Sequence, residues 1–256
     1  MNIPINDLLK QMQPITLDEM MCIRLMDRVD SKFVSSIDLL PRILEAMIPN
    51  FKIQTIGNKS IAAYSTQYLD TSDLAFFRMH QNGKLKRQKI RIRSYIDSNL
   101  SFLEVKNKSN KGQTQKVRIP TGQSHIKDID DLTDENDFLS QYSWYENACL
   151  KPVLDNTFNR ITLVNNTKTE RITIDWGLYF HNYQTGKEYD CEQLMVLELK
   201  QNERLQSDFH RILNHLRIKS SSFSKYCMGT VLTNENVKKN RFKMKWILIN
   251  KITQKS

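Results

Sequence analysis

The chain has 256 residues, of which 39% are hydrophobic and 26% charged, and its formal net charge is +10. This composition excludes a mainly disordered chain, and the 7 glycines and 6 prolines exclude a collagen-like or low-complexity protein. No stretch approaches the roughly 18 to 20 apolar residues of a membrane-spanning helix, and the first residues lack a signal-peptide pattern, so a cytoplasmic location is expected. The excess of Lys and Arg predicts an anionic partner.

The sequence shows no internal repeat and no Gly/Ser-rich or Pro-rich linker. We therefore expect one main domain over residues 20–233, preceded by an N-terminal segment, 1–19, and followed by a basic C-terminal helix or tail, 234–256. The four cysteines are scattered without a C-x-x-C pair, which argues against a zinc knuckle or a disulfide framework. They are expected to be ordinary reduced thiols.

Three helices are expected from the spacing of apolar residues. Residues 36–49 and 203–216 each place apolar side chains on one helical face, and Pro41 indicates where the regular part of the first helix begins. Residues 131–147 are expected to form the third helix.

Most of the remaining chain alternates as β-strands do, and one face of each strand is charged. These charged sets are, in chain order, Arg28, Asp30 and Lys32; Lys89, Arg91 and Arg93; Glu104 and Lys106; Lys116 and Arg118; Arg171, Thr173 and Asp175; and Glu198 and Lys200. A solvated sheet face would explain one such strand, but six of them are poorly explained in that way. The pattern predicts an α+β protein with a closed or nearly closed antiparallel barrel, a hydrated basic interior and helices outside. Such an interior would bind a polyanion.

Nine short segments in order then resemble a known family. They are RVDSKF (28–33), YLDT (68–71), KLKRQKIRIRSY (84–95), FLEVK (102–106), KVRIP (116–120), FNR (158–160), ERITID (170–175), LELK (197–200) and SKYCMG (224–229). Together they resemble the VTC domain, the catalytic domain of vacuolar-type polyphosphate polymerases and a branch of the CYTH-like triphosphate tunnel metalloenzymes. The resemblance implies an eight-stranded antiparallel tunnel that holds a triphosphate or a growing polyphosphate, assisted by Mn²⁺ or Mg²⁺.

The resemblance also implies roles for individual residues. The phosphate ligands would be Lys32, Arg91, Arg93, Lys106, Arg160, Arg171 and Lys225. Glu198 matches the metal-binding glutamate, and Phe158 matches an aromatic position that would stack on a nucleotide base. Further substrate contacts are expected from Arg28, Lys89, Lys116, Arg118 and Lys200.

Several of these assignments have a competing interpretation from the residues themselves. For Glu198 metal ligation is favoured over a role in neutralising Lys200 and nearby arginines within the lumen, whereas Phe158 would equally fill the core. Lys116 and Arg118 line either the tunnel exit or a solvent-facing strand end. Glu104 and Asp30 are interpreted as salt-bridge acids rather than direct metal ligands. The five histidines, His80, His125, His181, His210 and His215, show no metal-ligand spacing and are assigned no role.

The resemblance departs from the related triphosphatases at their opening E-x-E-x-K motif. This chain has Arg28 and Asp30 before Lys32, which favours the polymerase-like branch. The leading hypothesis is transfer of the terminal phosphoryl group of ATP to polyphosphate. The alternatives are hydrolysis of triphosphate or short polyphosphate in the same tunnel, and a sensor that binds polyphosphate or nucleotide without catalysis. Nucleic-acid binding is not expected, because the sequence lacks an RNP-like aromatic pair, a helix-turn-helix and a basic helix inside the domain.

The last 21 residues, NVKKNRFKMKWILINKITQKS, are both basic and apolar. Three interpretations fit them: the segment docks on its own domain, lies on an anionic membrane or binds a partner helix. Docking is the commoner behaviour of such a tail, so it is the favoured interpretation.

Overall fold

The computed structural model describes residues 4–23, 28–126, 133–202 and 207–253. Within them the strands are β1 (Gln13–Thr16), β2 (Arg28–Ser36), β3 (Phe51–Thr55), β4 (Ala62–Thr71), β5 (Arg87–Tyr95), β6 (Leu100–Lys108), β7 (Thr114–Thr121), β8 (Leu150–Asn165), β9 (Glu170–Asn182), β10 (Glu188–Cys191) and β11 (Leu194–Asn202). The helices are α1 (Ile5–Lys10), α2 (Leu17–Met21), α3 (Leu40–Met47), α4 (Ala75–Gln81), α5 (Thr133–Tyr142), α6 (Asp208–His215), α7 (Lys225–Thr233) and α8 (Lys243–Thr253).

Eight strands form one continuous antiparallel path in the order β2-β11-β9-β8-β4-β5-β6-β7. β6 and β7 form one antiparallel hairpin, and β8 and β9 form another. β1 and β3 pair in parallel beside β8, and β10 extends β9. No ladder joins β2 to β7 among the described residues, so the barrel is open along this seam. The predicted α+β fold, an antiparallel barrel with external helices, is confirmed in this nearly closed form.

Strand alternation sends the apolar residues outward and the charged ones inward. On β5 the burial alternates residue by residue, with Ile90 and Ile92 fully buried on the outer side. On β9 and β11 the outward residues Ile174 and Leu197 pack in one cluster with residues of α3 and α6. The helices therefore cover the apolar outer face, and the polar face turns toward the interior.

The helix boundaries follow local capping. α3 begins after a 3-10 turn, Ile37–Leu39, in which the Ser36 hydroxyl accepts from the Asp38 amide, and Pro41 lies in its first turn as expected. α6 begins after Ser207, whose hydroxyl accepts from the His210 amide. It is shorter than the predicted helix over 203–216, of which residues 203–206 lie outside the described part.

The third predicted helix also proves shorter. α5 ends at Tyr142, and the residues up to the 3-10 turn Asn147–Cys149 form turns instead. There the Ser143 hydroxyl accepts from the Tyr145 amide, so side chain and backbone bond each other in place of a further helical turn. Residues 131–132 of the predicted range lie outside the described part.

The C-terminal segment packs on the domain through two apolar side chains. Phe242 and Ile249 are 2% and 1% exposed and belong to the same core cluster as strand residues of β4 and β5. The docking interpretation matches this packing. Across the part of the chain that the structure describes, every helix is too short or too polar to cross a membrane.

Candidate functional site

The inner faces of the eight path strands surround a polar space, here called the lumen. The strand register places charged residues of neighbouring strands directly opposite one another on this face. The opposed pairs are Lys32 and Glu198, Lys200 and Arg171, Arg160 and Asp175, Arg91 and Glu104, Lys89 and Lys106, Glu104 and Arg118, and Lys106 and Lys116. The charged residues found on separate segments of sequence thus share one surface.

Asp175 is a deeply buried carboxylate of the lumen, with a side chain only 4% exposed. Arg160 donates to it through two nitrogens, Nε to Oδ1 at 2.6 Å and Nη2 to Oδ2 at 2.8 Å, and the Lys225 ammonium also contacts Oδ2. Burial alone would raise the pKa of Asp175, but the two cations hold it well below its ordinary range. Asp175 therefore fixes the side chains of Arg160 and Lys225, two of the expected phosphate ligands.

Glu104 forms a second carboxylate centre on the opposite wall. Its side chain is 1% exposed, and it accepts from Arg91 Nε at 2.8 Å and from the Lys116 ammonium. Burial raises the pKa of Glu104, but Arg91, Arg93 and Lys116 outweigh it and lower the pKa to about 2. The arrangement matches the interpretation of Glu104 as a salt-bridge acid, and it turns Lys116 toward the lumen.

Glu198 lies nearer the open seam. It forms an ion pair with Lys32, and its Oε2 is 3.8 Å from the Lys200 Nζ. Burial raises the pKa of Glu198, but Lys200 and Lys32 lead the cations that lower it to about 2. Next to it on β9, the Thr173 hydroxyl oxygen is buried without a hydrogen-bond partner among the described residues.

A cation-rich part of the lumen lies beside these ion pairs. Among the described residues, Lys89, Arg93 and Lys106 form no salt bridge; the Lys89 ammonium instead bonds the Ser224 hydroxyl at 3.0 Å. Burial, with repulsion from Lys89 and Arg91, lowers the pKa of Lys106 to about 8. Burial, with repulsion from Arg91, lowers the pKa of Arg93 to about 10, and the Arg93 Nε has no hydrogen-bond partner in the part of the chain that the structure describes. These side chains present positive charge that the protein itself does not neutralise.

Phe158 lies on the lumen wall under two cations. Its ring stacks on Tyr64 at 5.1 Å with an angle of 6° between the planes, and the Lys225 Nζ lies 4.1 Å from its centroid. The Arg160 guanidinium lies 5.1 Å from the Tyr64 ring. The Phe158 side chain is thus buried, as the core interpretation expects, and it also contacts a cation of the lumen wall. Stacking on a nucleotide base stays a prediction.

Two of the other expected substrate contacts, Arg171 and Arg118, contact groups other than carboxylates. The Arg171 guanidinium donates to the backbone carbonyls of Met20 at 2.8 Å and Ile23 at 3.3 Å. Met20 belongs to α2, and Ile23 follows this helix. Arg118 stacks on Phe102 at 4.4 Å on the exposed edge strand β7. Arg28 begins β2, and its side chain lies outside the described part.

Residues Lys32, Lys89 and Lys106 reach a cavity of about 880 Å³ at one mouth of the lumen. This cavity is also lined by Arg87, His80 and the serines 220–222. The residues that line this cavity come from β2 on one side of the seam and from β5 and β6 on the other. The inner faces on both sides therefore enclose one space.

Sequence reasoning assigned no role to three residues of this site, namely Asp175, Tyr64 and His80. Strand alternation places Asp175 on the inner face, but only the register between β8 and β9 reveals its pairing with Arg160. Tyr64 and Tyr68, the first residue of the YLDT segment, are separated by an even number of strand positions. Alternation alone would therefore have placed both side chains on the inner face. His80 belongs to α4, and no strand pattern reports on it.

Residues 27–234 match the family model described as the VTC domain. The chain belongs to the VTC-domain family. Its structure is similar to that of a putative adenylyl cyclase from Hippeastrum described as having a dominant triphosphatase activity, with a TM-score of 0.51, 12% identity, and coverage of 80% of this chain and 96% of that one. This likeness concerns the fold alone.

A putative adenylate cyclase from Vibrio parahaemolyticus also matches, with a TM-score of 0.44, 11% identity, and coverage of 80% of this chain and 99% of that one. No curated protein matches the sequence.

Proposed function

We propose that this protein is a metal-dependent polyphosphate polymerase that transfers the terminal phosphoryl group of ATP to a phosphate chain inside the lumen. The observation that carries the proposal is a VTC-family barrel whose inner cations exceed its inner carboxylates, with Lys89, Arg93 and Lys106 lacking a salt-bridge partner among the described residues. A bound phosphate chain would supply the missing negative charge. Phosphoryl transfer depends mainly on such positioning and charge neutralisation.

In this proposal the triphosphate lies along Arg91, Arg93, Arg160 and Arg171, and Lys32, Lys106 and Lys225 surround its terminal phosphate. Arg suits the first task because its planar fork holds two phosphate oxygens at once, and Lys supplies a compact charge. The bond between the terminal phosphorus and its bridging oxygen breaks, a terminal oxygen of the acceptor chain forms the new bond, and ADP leaves. The base of ATP would stack on Phe158, beside Tyr64.

The donor set near the seam fits a divalent metal ion. Glu198 is held anionic by its neighbours, and the buried Thr173 hydroxyl beside it has no protein partner among the described residues. No group of three or more His, Cys, Asp or Glu residues in the described part could hold a metal ion by itself. Mg²⁺ needs no such cage, since it commonly binds through one or two carboxylates together with substrate phosphates. Mn²⁺ or Mg²⁺ held by Glu198 would neutralise charge that develops on the phosphate oxygens.

The lumen carboxylates are poor general bases for a water nucleophile. A water nucleophile benefits from a general base whose pKa lies near the working pH. The carboxylates at hand, Glu104 and Glu198, have pKa values of about 2 and are engaged by cations, so they accept protons poorly. A terminal phosphate oxygen already carries negative charge and requires no deprotonation. Repulsion between two phosphates is then the main barrier, and the surrounding cations reduce it.

The second candidate is a triphosphate hydrolase that uses the same lumen. The triphosphatase activity described for the Hippeastrum protein of similar fold favours it. The third is a module that binds polyphosphate or nucleotide without turning it over.

One experiment separates these functions: purified protein is incubated with ATP and Mn²⁺ or Mg²⁺, and the products are resolved by gel electrophoresis and ³¹P NMR. Long phosphate chains with ADP are expected. Free phosphate without chains would replace the polymerase by the hydrolase. Tripolyphosphate binding without turnover would replace both by the binding module. Glu198→Gln should abolish turnover, whereas Glu235→Gln, which alters an exposed ion pair with Lys187, should leave it unchanged.

A further inference from the structure

The C-terminal segment 235–253 lies beyond the residues that match the family model, yet it contacts side chains that line the cavity at the mouth of the lumen. Phe242 anchors it there. The Phe242 ring lies 5.9 Å from Phe77 and 5.5 Å from His80, both on α4, and meets His80 edge-on. This anchor is 2% exposed, so the position of the segment is set by core packing.

Two basic residues near this anchor, Arg241 and Lys245, lie beside residues at the mouth. The Lys245 Nζ donates to the Ser222 hydroxyl at 2.6 Å, and Ser222 lines the cavity together with Arg87. The Arg241 guanidinium lies against Gly83, in the turn between α4 and β5, where its Nη1 is 2.7 Å from the place that a Cβ would occupy. This turn joins α4, which carries His80, to Arg87 at the start of β5, and the positive charges of Arg87, Arg241 and Lys245 all act on His80.

These cations lack an acidic counterpart. Among the described residues, no carboxylate forms a salt bridge with Arg87, Lys89, Arg241 or Lys245. Burial and repulsion from Lys89, Arg87, Arg241 and Lys245 lower the pKa of His80 to about 3, so its ring is neutral and adds no positive charge. Like charges held together by packed elements repel one another unless an anion lies between them.

The ligand chemistry follows from the position of the cluster. The cavity is continuous from Lys32 and Lys106, inside the lumen, to Arg87 and the serines 220–222 at the mouth. An anion that occupied both parts would have to be extended and charged along its length. A triphosphate held among the lumen arginines would leave the mouth cations without a partner, whereas a longer phosphate chain would reach them.

We propose that Arg87, Arg241 and Lys245 form a collar that binds the phosphates of a polyphosphate chain beyond those held in the lumen. The inference rests on the proposed function, since it assigns a phosphate chain to the lumen. It also gives the C-terminal segment a binding role in addition to its packing. The collar makes affinity depend on chain length.

The test compares two pairs of substitutions that remove the same charge from the same segment. R241Q/K245Q alters the collar, and K238Q/K243Q alters two exposed lysines of the same segment. Dissociation constants for tripolyphosphate and for a polyphosphate of about 60 phosphates are measured by calorimetry at one ionic strength. Thermal unfolding of each variant confirms that Phe242 still anchors the segment.

The collar predicts that R241Q/K245Q weakens binding of the long chain about tenfold and changes tripolyphosphate binding less than about twofold. K238Q/K243Q should change neither by more than about twofold. Equal losses of affinity in both variants would show that binding depends on net charge alone and would overturn the collar. An unchanged long-chain affinity in R241Q/K245Q would overturn it as well. If the unaltered protein fails to bind tripolyphosphate while R241Q/K245Q still weakens long-chain binding, the collar stands and the proposed function falls.

Discussion

The lumen contains two regions that differ in whether their charged side chains form ion pairs. Around Asp175 and Glu104, carboxylates lie between cations and engage them at hydrogen-bonding distance. Toward the mouth, Lys89, Lys106 and Arg87 line the cavity without a salt-bridge partner among the described residues. The first region is here called the paired region and the second the unpaired region.

The difference separates structural from ligand-dependent charge. A buried ion pair contributes little net stability, but removal of one partner leaves an uncompensated charge and is strongly destabilising. A cluster of like charges has the reverse property, since removal of one member relieves repulsion. The paired region should therefore determine whether the barrel folds, and the unpaired region should determine what it binds. Four predictions test this division.

The largest effect is expected from Asp175→Asn. The change leaves Arg160 and Lys225 without their counter-charge inside the barrel. We expect the free energy of unfolding, measured by urea denaturation, to fall by about 3–5 kcal/mol. The matched control is Glu235→Gln, which removes an exposed carboxylate and should cost at most about 1 kcal/mol.

Added tripolyphosphate sharpens this first test. It returns negative charge to the lumen, so it should recover more stability in the Asp175 variant than in the unaltered protein. An Asp175→Asn protein as stable as the Glu235 control would refute the division into two regions.

The second prediction concerns the unpaired region. Lys106→Met keeps the length of the side chain and removes its charge, which burial and neighbouring cations already oppose. The free energy of unfolding should stay the same or rise. Tripolyphosphate affinity should fall about ten- to one-hundredfold, the range expected for loss of one charge-assisted hydrogen bond. A variant that loses stability and keeps its affinity would reverse the roles assigned to the two regions.

The sequence predicted this fold well because alternation is a local property. Lys89, Arg91 and Arg93 share a strand face whatever their partners are, and the apolar residues between them must then face the other side. Repeated over six strands, this rule predicts a barrel with a charged interior. The same rule could not predict that the ladder is absent between β2 and β7, because strand order at the seam depends on long-range packing.

The pairing of charges was less accessible from the sequence. Asp175 and Arg160 are 15 positions apart and meet because β8 and β9 are in register, with a bulge between Thr157 and Asn159 that adjusts the alignment. Lys225 reaches the same carboxylate from a helix 50 positions away. Alternation gives the face of a strand residue and not its partner. The metal and substrate roles assigned to these residues stay predictions.

The third prediction concerns pH. Burial lowers the pKa of Lys106 and of Lys225 to about 8. Lys106 is faced by Lys89 and Arg91 from β5, Lys32 from β2 and Glu198 from β11, and Lys225 by Asp175, Arg160 and Arg93. Because the charged form is lost as the pH rises through about 8, anion affinity should be high below this pH and decrease above it.

We expect tripolyphosphate affinity to fall about tenfold between pH 7 and pH 9, as each ammonium changes from mostly charged to mostly neutral. The matched variant is Lys106→Arg, which retains its charge over this range and should flatten part of the profile. If the unaltered protein shows the same affinity at both pH values, the cations that matter are arginines, and the lysines of the unpaired region are dispensable for binding.

The smallest expected effect comes from Phe158→Leu, which tests whether the boundary between the two regions also selects the ligand. Phe158 lies under Lys225 of the paired region, and its ring stacks on Tyr64. If a base stacks here, ATP should lose about 1 kcal/mol of binding free energy, and tripolyphosphate, which has no base, should lose much less. The ratio of the two dissociation constants is the measurement, because any general loosening of the wall weakens both ligands together. An unchanged ratio would leave Phe158 with a packing role only, and the lumen would then recognise phosphate without regard to the nucleoside.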